Sequence, residues 1–391
     1  MDNIGIFTFF TGAGFLDLGF EKAGFRSLFS NELIPEFCRA YKYSRSKLNL
    51  PLPQYGLREV DVEYYCDAPD DPDDKESLIA NEERIYEKQY LTNSVKEAKQ
   101  NFDLIGFIGG PPCPDFSVAG KNRGARGRHG RLSQIYMDII CREKPDFFVF
   151  ENVKGLWRTA VHRAFFDDLV KQAHNAGYFT TARLINALEY GAPQDRDRII
   201  LIGIQRNKLK NAAAYKNAEI TDFPWQKHIL YPLAEVKQKP WPKTNIFSEG
   251  SILPVPPDII QELTVEHWFR KNDVERHPNG NDFFVPRAGL VKMQTYDEGD
   301  DSKKCYKRLH RWRYSPTAAY GNNEVHLHPY KARRLSVAEA LAIQSLPKEF
   351  ELPPDISLSA KFKTIGNGVP FVAAFGVAKT LKDFLKTRTE I

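Results

Sequence analysis

The sequence predicts an α/β protein, with a mostly parallel sheet covered by helices on both faces and a smaller, irregular or β-rich second region. Three observations lead there. Short apolar runs alternate with helix-like segments through the first half of the chain. Glycine- and proline-rich turns close several of those runs. After about residue 205 the alternation stops, and prolines, tryptophans and lysines crowd together, as in Phe223-Pro224-Trp225 and Lys239-Pro240-Trp241-Pro242.

In chain order, Ile4–Phe10 reads as a strand, Leu16–Ala23 as a helix, Phe25–Ser30 as a strand and Pro35–Tyr43 as a helix. The stretch Asp61–Glu83 is acidic and carries Asp70-Asp71-Pro72-Asp73-Asp74, which reads as a solvated insertion. The rhythm resumes with strands at Asp103–Ile108, Asp146–Val153, Phe179–Ala187 and Ile199–Ile204, and helices at Leu132–Arg142 and His162–Ala176. Helix returns at Ser336–Ser345 and Pro370–Leu385. The expected domains are residues 1–205, 206–332, and a return of 333–391 to the first.

The bulk numbers exclude several classes. The chain has 391 residues, 42% hydrophobic and 27% charged, enough for an ordinary core. Net charge is +5, a mild excess whose distribution matters more than its sum. The five cysteines, Cys38, Cys66, Cys113, Cys141 and Cys305, are scattered, odd in number and without a CxxC pair. That argues for a reducing compartment and against a zinc site or disulfide framework. The apolar run Ile4–Phe10 is too short to span a bilayer. The expectation is a cytoplasmic protein without a membrane partner.

The most informative stretch is Gly109-Gly110-Pro111-Pro112-Cys113-Pro114-Asp115-Phe116-Ser117, directly after a buried strand. Glycines permit a sharp turn and prolines stiffen it, which holds a thiol out from the sheet edge. A second strand, Phe148-Val149-Phe150, runs into Glu151-Asn152-Val153. A nucleophile and an acid at two strand ends is how an α/β enzyme builds a site. The bland alternatives are a buried small cysteine and a surface glutamate; Cys38, Cys66, Cys141 and Cys305 stay in that class.

Phe10-Thr11-Gly12-Ala13-Gly14 closes the first strand and opens a helix, a place where backbone N–H groups face a ligand. It is not GxGxxG. The next strand ends in Asn31-Glu32, where an acid can take both hydroxyls of a ribose or serve as a helix N-terminal carboxylate.

Together these pieces resemble the C5-cytosine-specific DNA methyltransferases, from Phe7 to Ala378 apart from the acidic insertion and the second region. Gly110-Pro111-Pro112-Cys113 matches the family's nucleophile loop and Glu151-Asn152-Val153 the loop of the catalytic acid. Gln194-Asp195-Arg196-Asp197-Arg198 matches the glutamine–arginine–arginine motif. Arg333-Arg334-Leu335-Ser336, with Glu339, Gln344 and Pro347, and then Gly366-Asn367-Gly368-Val369-Pro370 match the last two motifs. Thr8 replaces a usual acid, Phe15 a common third glycine, and Pro114 a frequent glutamine; none is a reacting group.

The resemblance implies the S-adenosylmethionine-dependent methyltransferase fold. It implies that cofactor, released as S-adenosylhomocysteine, and no metal. Phe10, Gly12, Ala13, Gly14, Glu32, Pro112, Asn367 and Val369 would bind it, with Asn93 favoured over Asp61 at the adenine. Cys113, Glu151, Arg196 and Arg198 would be catalytic. Double-stranded DNA would be the substrate and a restriction endonuclease the functional counterpart in a bacterial cytoplasm; such enzymes act as monomers.

A thiolate suits this chemistry because it adds to cytosine C6 and also leaves well. Arg196, Arg198 and a helix N-terminus supply positive charge near Cys113. Burial would raise the Glu151 pKa toward an acid's role, and one arginine would bind cytosine O2.

C6 lies inside the stack, so the base must be flipped. Ser117–Ser133 is the candidate lid, with Ser117, Lys121, Arg123, Arg126, Arg128 and Arg131, four glycines and no acid. A plain basic loop is the alternative. Arg311 and Arg313 are the candidate DNA contacts of the second region, with Trp312 and Tyr314 either beside them or in its core. The rival functions are a tRNA cytosine-C5 methyltransferase, a non-catalytic DNA-binding protein and a nicotinamide dehydrogenase. The long variable region and the set Cys113, Glu151, Arg196, Arg198 argue against them.

Overall fold

The computed structural model describes residues 3–66, 75–112, 128–286, 289–303, 306–318, 320 and 326–389, with residues 75–80, 128, 129 and 161 described through their backbone alone. The acidic cluster at 70–74 and Cys113 lie outside them, as do Ser117, Lys121, Arg123 and Arg126.

The central sheet has seven strands: β1 (Ile4–Phe9), β2 (Arg26–Asn31), β3 (Leu57–Arg58), β4 (Leu104–Gly109), β5 (Phe147–Val153), β6 (Tyr178–Asn186) and β7 (Asp197–Gln205). Their order is β3-β2-β1-β4-β5-β7-β6. The first five pair in parallel, and β7 runs antiparallel between β5 and β6. Helices α1 (Phe15–Lys22), α2 (Pro35–Lys47), α3 (Lys75–Asn101), α4 (Arg128–Glu143), α5 (Gly155–Arg158) and α6 (Ala160–Asn175) connect the strands. The mostly parallel, doubly covered sheet is as expected.

Both faces of the sheet's centre are buried, so β1, β4 and the first part of β5 are almost wholly apolar. Alternate residues serve opposite cores. Ile4, Ile6, Ile108, Val149 and Ile202 pack on one side. Phe7, Phe9, Phe107, Phe148 and Phe150 pack on the other. One glycine makes room for a ring on each side: a side chain at Gly203 would run into Phe148 of the aromatic layer, and one at Gly106 into Phe147 of the opposite core.

The acidic stretch is more structured than expected. Asp61 caps a 3-10 turn at Val62–Tyr65 by accepting from the Glu63 N–H, and Tyr65 is fully buried. From Lys75 the chain is already in α3.

Between β7 and residue 336 the described residues form only short elements, among them α7 (Leu233–Gln238), α8 (Val265–Lys271), α9 (Leu290–Gln294), β8 (Lys307–Arg308) and β9 (His326–Leu327). Irregular is therefore right and β-rich is corrected; among the described residues β8 and β9 form a pair of two residues each. Buried arginines stand in for a regular ladder. Arg308 donates to the carbonyls of Met293, Tyr296, His328 and Lys331. Trp312 and Tyr314 are buried, so the core reading of both holds.

The chain then forms α10 (Val337–Ile343), α11 (Leu358–Asn367) and α12 (Phe371–Arg388). α12 packs back on α1, where Gly19 lets Ala374 approach closely.

Candidate active site

The loops after β1, β2, β4 and β5 all leave the same edge of the parallel sheet. A ligand crevice forms at that edge where the strand order switches direction, here between β1 and β4. A cavity of about 1680 Å³ lies there.

One end is built on the first two loops. Phe10 and Gly12 both have φ of 57°, and Phe10 is strained there because it carries a Cβ. That backbone turns the Phe10 ring toward the cavity, edge-on to Tyr136 at 6.1 Å. Glu32 grips the loop from β2. Its Oε2 accepts from the Gly12 N–H at 2.9 Å, and its Oε1 accepts from Leu33 and Ile34 at 2.9 Å each. Burial pushes its carboxyl up, against the pull of those N–H donors. Both earlier readings of Glu32 are thus compatible: it caps its own loop and lines the cavity.

Ala13, Pro112, Asn367 and Val369 also line the cavity. Gly14 does not; its Cα faces the Tyr41 ring, and its φ of 86° starts α1. The expectation for Asn93 is corrected. It is exposed on α3, away from the cavity, while Asp61 and Val62 line it. Asn93 lies in the last third of α3, which runs to Asn101 and carries it away from that edge.

The other end holds the acid. Glu151 lies in the last part of β5, buried, with Oε1 2.7 Å from Arg198 Nε. Burial raises its pKa, opposed by Arg198 and Arg196. Gly110 is required beside it, since a Cβ there would lie 2.5 Å from Glu151 Oε2. Asn152 donates to Pro111 O at 3.4 Å and accepts from the Val153 N–H at 2.7 Å, tying the acid's strand to the proline loop.

Arg196 also lines the cavity. Its guanidinium donates to Ala318 O and Gly366 O at 2.8 Å each and is fully buried. Gln194 supports the same joint, accepting from the Ala318 N–H at 2.9 Å and donating to Gln344 Oε1 at 3.1 Å. Gln344 in turn donates to Ile365 O and Gly368 O. Arg196 thus clamps two segments of the cavity wall.

The second region closes the cavity with Asp301, Ser302, Lys303 and Lys307, joined by Arg334. Arg311 is corrected as a DNA contact. It is buried on Glu298 at 2.7 Å and donates to Ser251. Its charge is neutralised inside the fold, and Tyr330 covers it. Arg313 is half-buried, 3.9 Å from Asp301. Arg128 opens α4.

Sequence reasoning missed Lys154, Phe284, Phe362, Lys363 and Thr364, all in the wall. Three of these directly precede Gly366, so proximity to that turn was the available signal. Thr364 Oγ1 is buried without a partner among the described residues.

The profile of C-5 cytosine-specific DNA methylases matches residues 53–383. The chain belongs to that family. This methylase is 55% identical over 385 residues to the Type II methyltransferase M.NmeDI of Neisseria meningitidis serogroup C, covering 98% of this chain and 85% of that one. It is 27% identical to the Type II methyltransferase M.FnuDI of Fusobacterium nucleatum, covering 99% and 96%. Its fold is shared with the Entamoeba histolytica methyltransferase EhMeth, with a TM-score of 0.58, 11% identity, and coverage of 98% and 99%. The methylase is thus an enzyme of DNA cytosine-C5 modification. No helix among its described residues is long and apolar enough to cross a membrane.

Proposed function

We propose that the methylase transfers a methyl group from S-adenosylmethionine to C5 of a flipped cytosine within a specific duplex sequence. The observation that carries this reading is Glu151, buried and paired with Arg198 on the wall of the cavity that the Phe10–Gly14 loop also lines.

The residues present fit the cofactor. Phe10 would stack on its adenine, Glu32 would take its ribose, and Thr364 Oγ1 supplies an unused buried polar group near Gly12. Asp61 replaces Asn93 as the adenine-side candidate. When bound, S-adenosylmethionine supplies the methyl group as a sulfonium electrophile.

The chain's own part begins with the Cys113 thiolate, which adds to C6 and breaks the aromaticity of the ring, making C5 nucleophilic. Glu151 holds a proton at the N3 side and so neutralises the charge that develops there. Arg198 fixes the Glu151 carboxyl, and Arg196 holds the wall around it. After methylation, loss of the C5 proton and departure of Cys113 restore the ring.

Residues 206–332 are read as the recognition part, with Lys303, Lys307 and Arg313 facing the nucleic acid. Protection of host DNA from a paired restriction endonuclease is the biological role that fits, in a bacterial cytoplasm. Duplex DNA containing 5-fluorocytosine at the target tests the chemistry, since fluorine blocks proton loss. A covalent adduct that survives denaturation is expected with the wild type and none with Cys113→Ser. An active preparation that forms no adduct would reject the covalent route.

A further inference from the structure

Behind the Phe10–Gly14 loop lies a second carboxyl that does not touch the cavity. Asp17, in the first turn of α1, is fully buried. Its Oδ2 accepts from Thr11 Oγ1 at 2.8 Å, Ser30 Oγ at 3.1 Å and the Tyr41 hydroxyl at 3.2 Å. Its Oδ1 has no partner among the described residues. The Tyr41 ring also supports Gly14, where a Cβ would lie 2.9 Å away. The loop is therefore suspended between two acids: Glu32 holds Gly12 from the cavity side, and Asp17 holds Thr11 from the core side.

We propose that Asp17 is a positioning residue whose ionised carboxylate, acting through Thr11, holds the Phe10–Gly14 loop in its ligand-binding shape. The inference rests on the cofactor reading above and adds a pH dependence to it.

A carboxylate suits this place because hydrogen bonds to an ionised acceptor are about twice as strong as neutral ones. Protonation weakens the arrangement, because Oδ2 then accepts as a neutral oxygen or carries the proton itself. A proton on Oδ2 competes with the hydroxyls that donate to it, two of which, Ser30 and Tyr41, also bond to each other at 3.0 Å. A proton on Oδ1 meets no acceptor there. The groups facing Asp17 are Thr11 from the loop, Ser30 from β2, Tyr41 and Arg45 from α2, and Glu21 from α1. Glu21 and Arg45 are themselves paired, with both oxygens 2.8 Å from the guanidinium. Burial pushes the Asp17 carboxyl up to about 6, with Thr11 opposing and Glu21 assisting. Ligand affinity should then fall as pH drops through that value. Ionised Asp17 disfavours folding above its unfolded pKa, because its folded pKa is raised. The same charge thus weakens the fold while it orders the loop.

The test is calorimetric titration of the full chain with S-adenosylhomocysteine between pH 5 and 8, with thermal unfolding at each pH. Wild-type affinity should be flat near pH 8 and fall about tenfold by pH 5, the worth of one charge-assisted hydrogen bond. Asp17→Asn should bind about tenfold more weakly at pH 8, lose most of the acid limb, and melt no lower than wild type at that pH. Thr11→Val, which removes only the donor, should reproduce the weaker binding. Any acid limb left in Asp17→Asn belongs to the raised carboxyls that line the cavity, Glu32 and Glu151. An Asp17→Asn protein with wild-type affinity and acid limb overturns the proposal. So does one that melts lower at pH 8 but keeps the wild-type pH profile, the signature of a merely structural residue. If the wild type binds no S-adenosylhomocysteine at any pH, the cofactor reading fails first and this inference falls with it.

Discussion

Arg198 Nε stands 2.7 Å from Glu151 Oε1, on neighbouring antiparallel strands, with both side chains about a tenth exposed. The pair fixes the carboxyl's direction and opposes the effect of burial on its pKa. Two consequences can be measured. Glu151→Gln should lower the methyl-transfer rate by about 10²- to 10⁴-fold, the usual worth of a positioned proton donor, while duplex binding stays near wild type. Single-turnover kinetics beside equilibrium DNA binding would show the split.

The pH dependence of the same pair follows from the sign of the shift. The folded pKa of Glu151 is raised, so its ionisation disfavours folding above its unfolded pKa, and removing Arg198 widens the gap. Arg198→Met should cost about 3–5 kcal/mol near pH 8, where an unpaired charge is buried. The deficit should shrink as pH falls through the folded pKa of Glu151 in the variant, because protonation removes that charge. Urea unfolding at pH 8 and pH 5.5 checks this.

Arg311 and Arg313 should separate cleanly. Arg311→Met leaves Glu298 buried and unpaired, an expected loss of about 3–5 kcal/mol that Glu298→Met should largely restore. Arg313→Gln should change stability by under about 0.5 kcal/mol. The slope of log K against log salt for DNA binding should fall by about 0.9 if Arg313 meets a phosphate. Chemical unfolding and salt titrations of DNA binding give both numbers.

Arg196→Lys should loosen two segments at once. A lysine lacks the planar fork that reaches both Ala318 O and Gly366 O. Hydrogen–deuterium exchange should rise together in residues 315–318 and 364–368, with a stability loss of about 1.5–3 kcal/mol. Faster exchange in only one segment would show that Arg196 does not join them.

The cations of the candidate lid give a further salt measurement. Replacing Lys121, Arg123 and Arg126 with glutamine should weaken duplex binding and reduce the salt slope by about 0.9 for each lost phosphate contact. An unchanged slope would return that stretch to a loop without a DNA role.

Much of this was legible in the sequence because it is local. Strand periodicity, the glycine turn at Gly12, and Glu151 at the end of an apolar run need only their neighbours in the chain to be recognised. Even the antiparallel β7 kept its apolar pattern, since both of its faces are buried.

Long-range placement was different. Asn93 sits inside a 27-residue helix, and the direction of that helix, which spacing does not record, decides that Asp61 and not Asn93 reaches the cavity. Arg311 and Arg313 look alike in sequence and sit two residues apart. Which of them is free for a partner depends on Glu298, brought beside Arg311 by the fold.

The sequence by itself determined the sheet, the family and the acid at position 151, since each is written in residue types at short spacing. Only the tertiary structure decided which charges are neutralised internally. Arg196 on two backbone carbonyls, Arg311 on Glu298 and Asp17 on Thr11, Ser30 and Tyr41 are contacts that only the folded chain brings together. The physical reason is that a buried ionised group needs its partners in three dimensions, and chain spacing does not record where those partners lie.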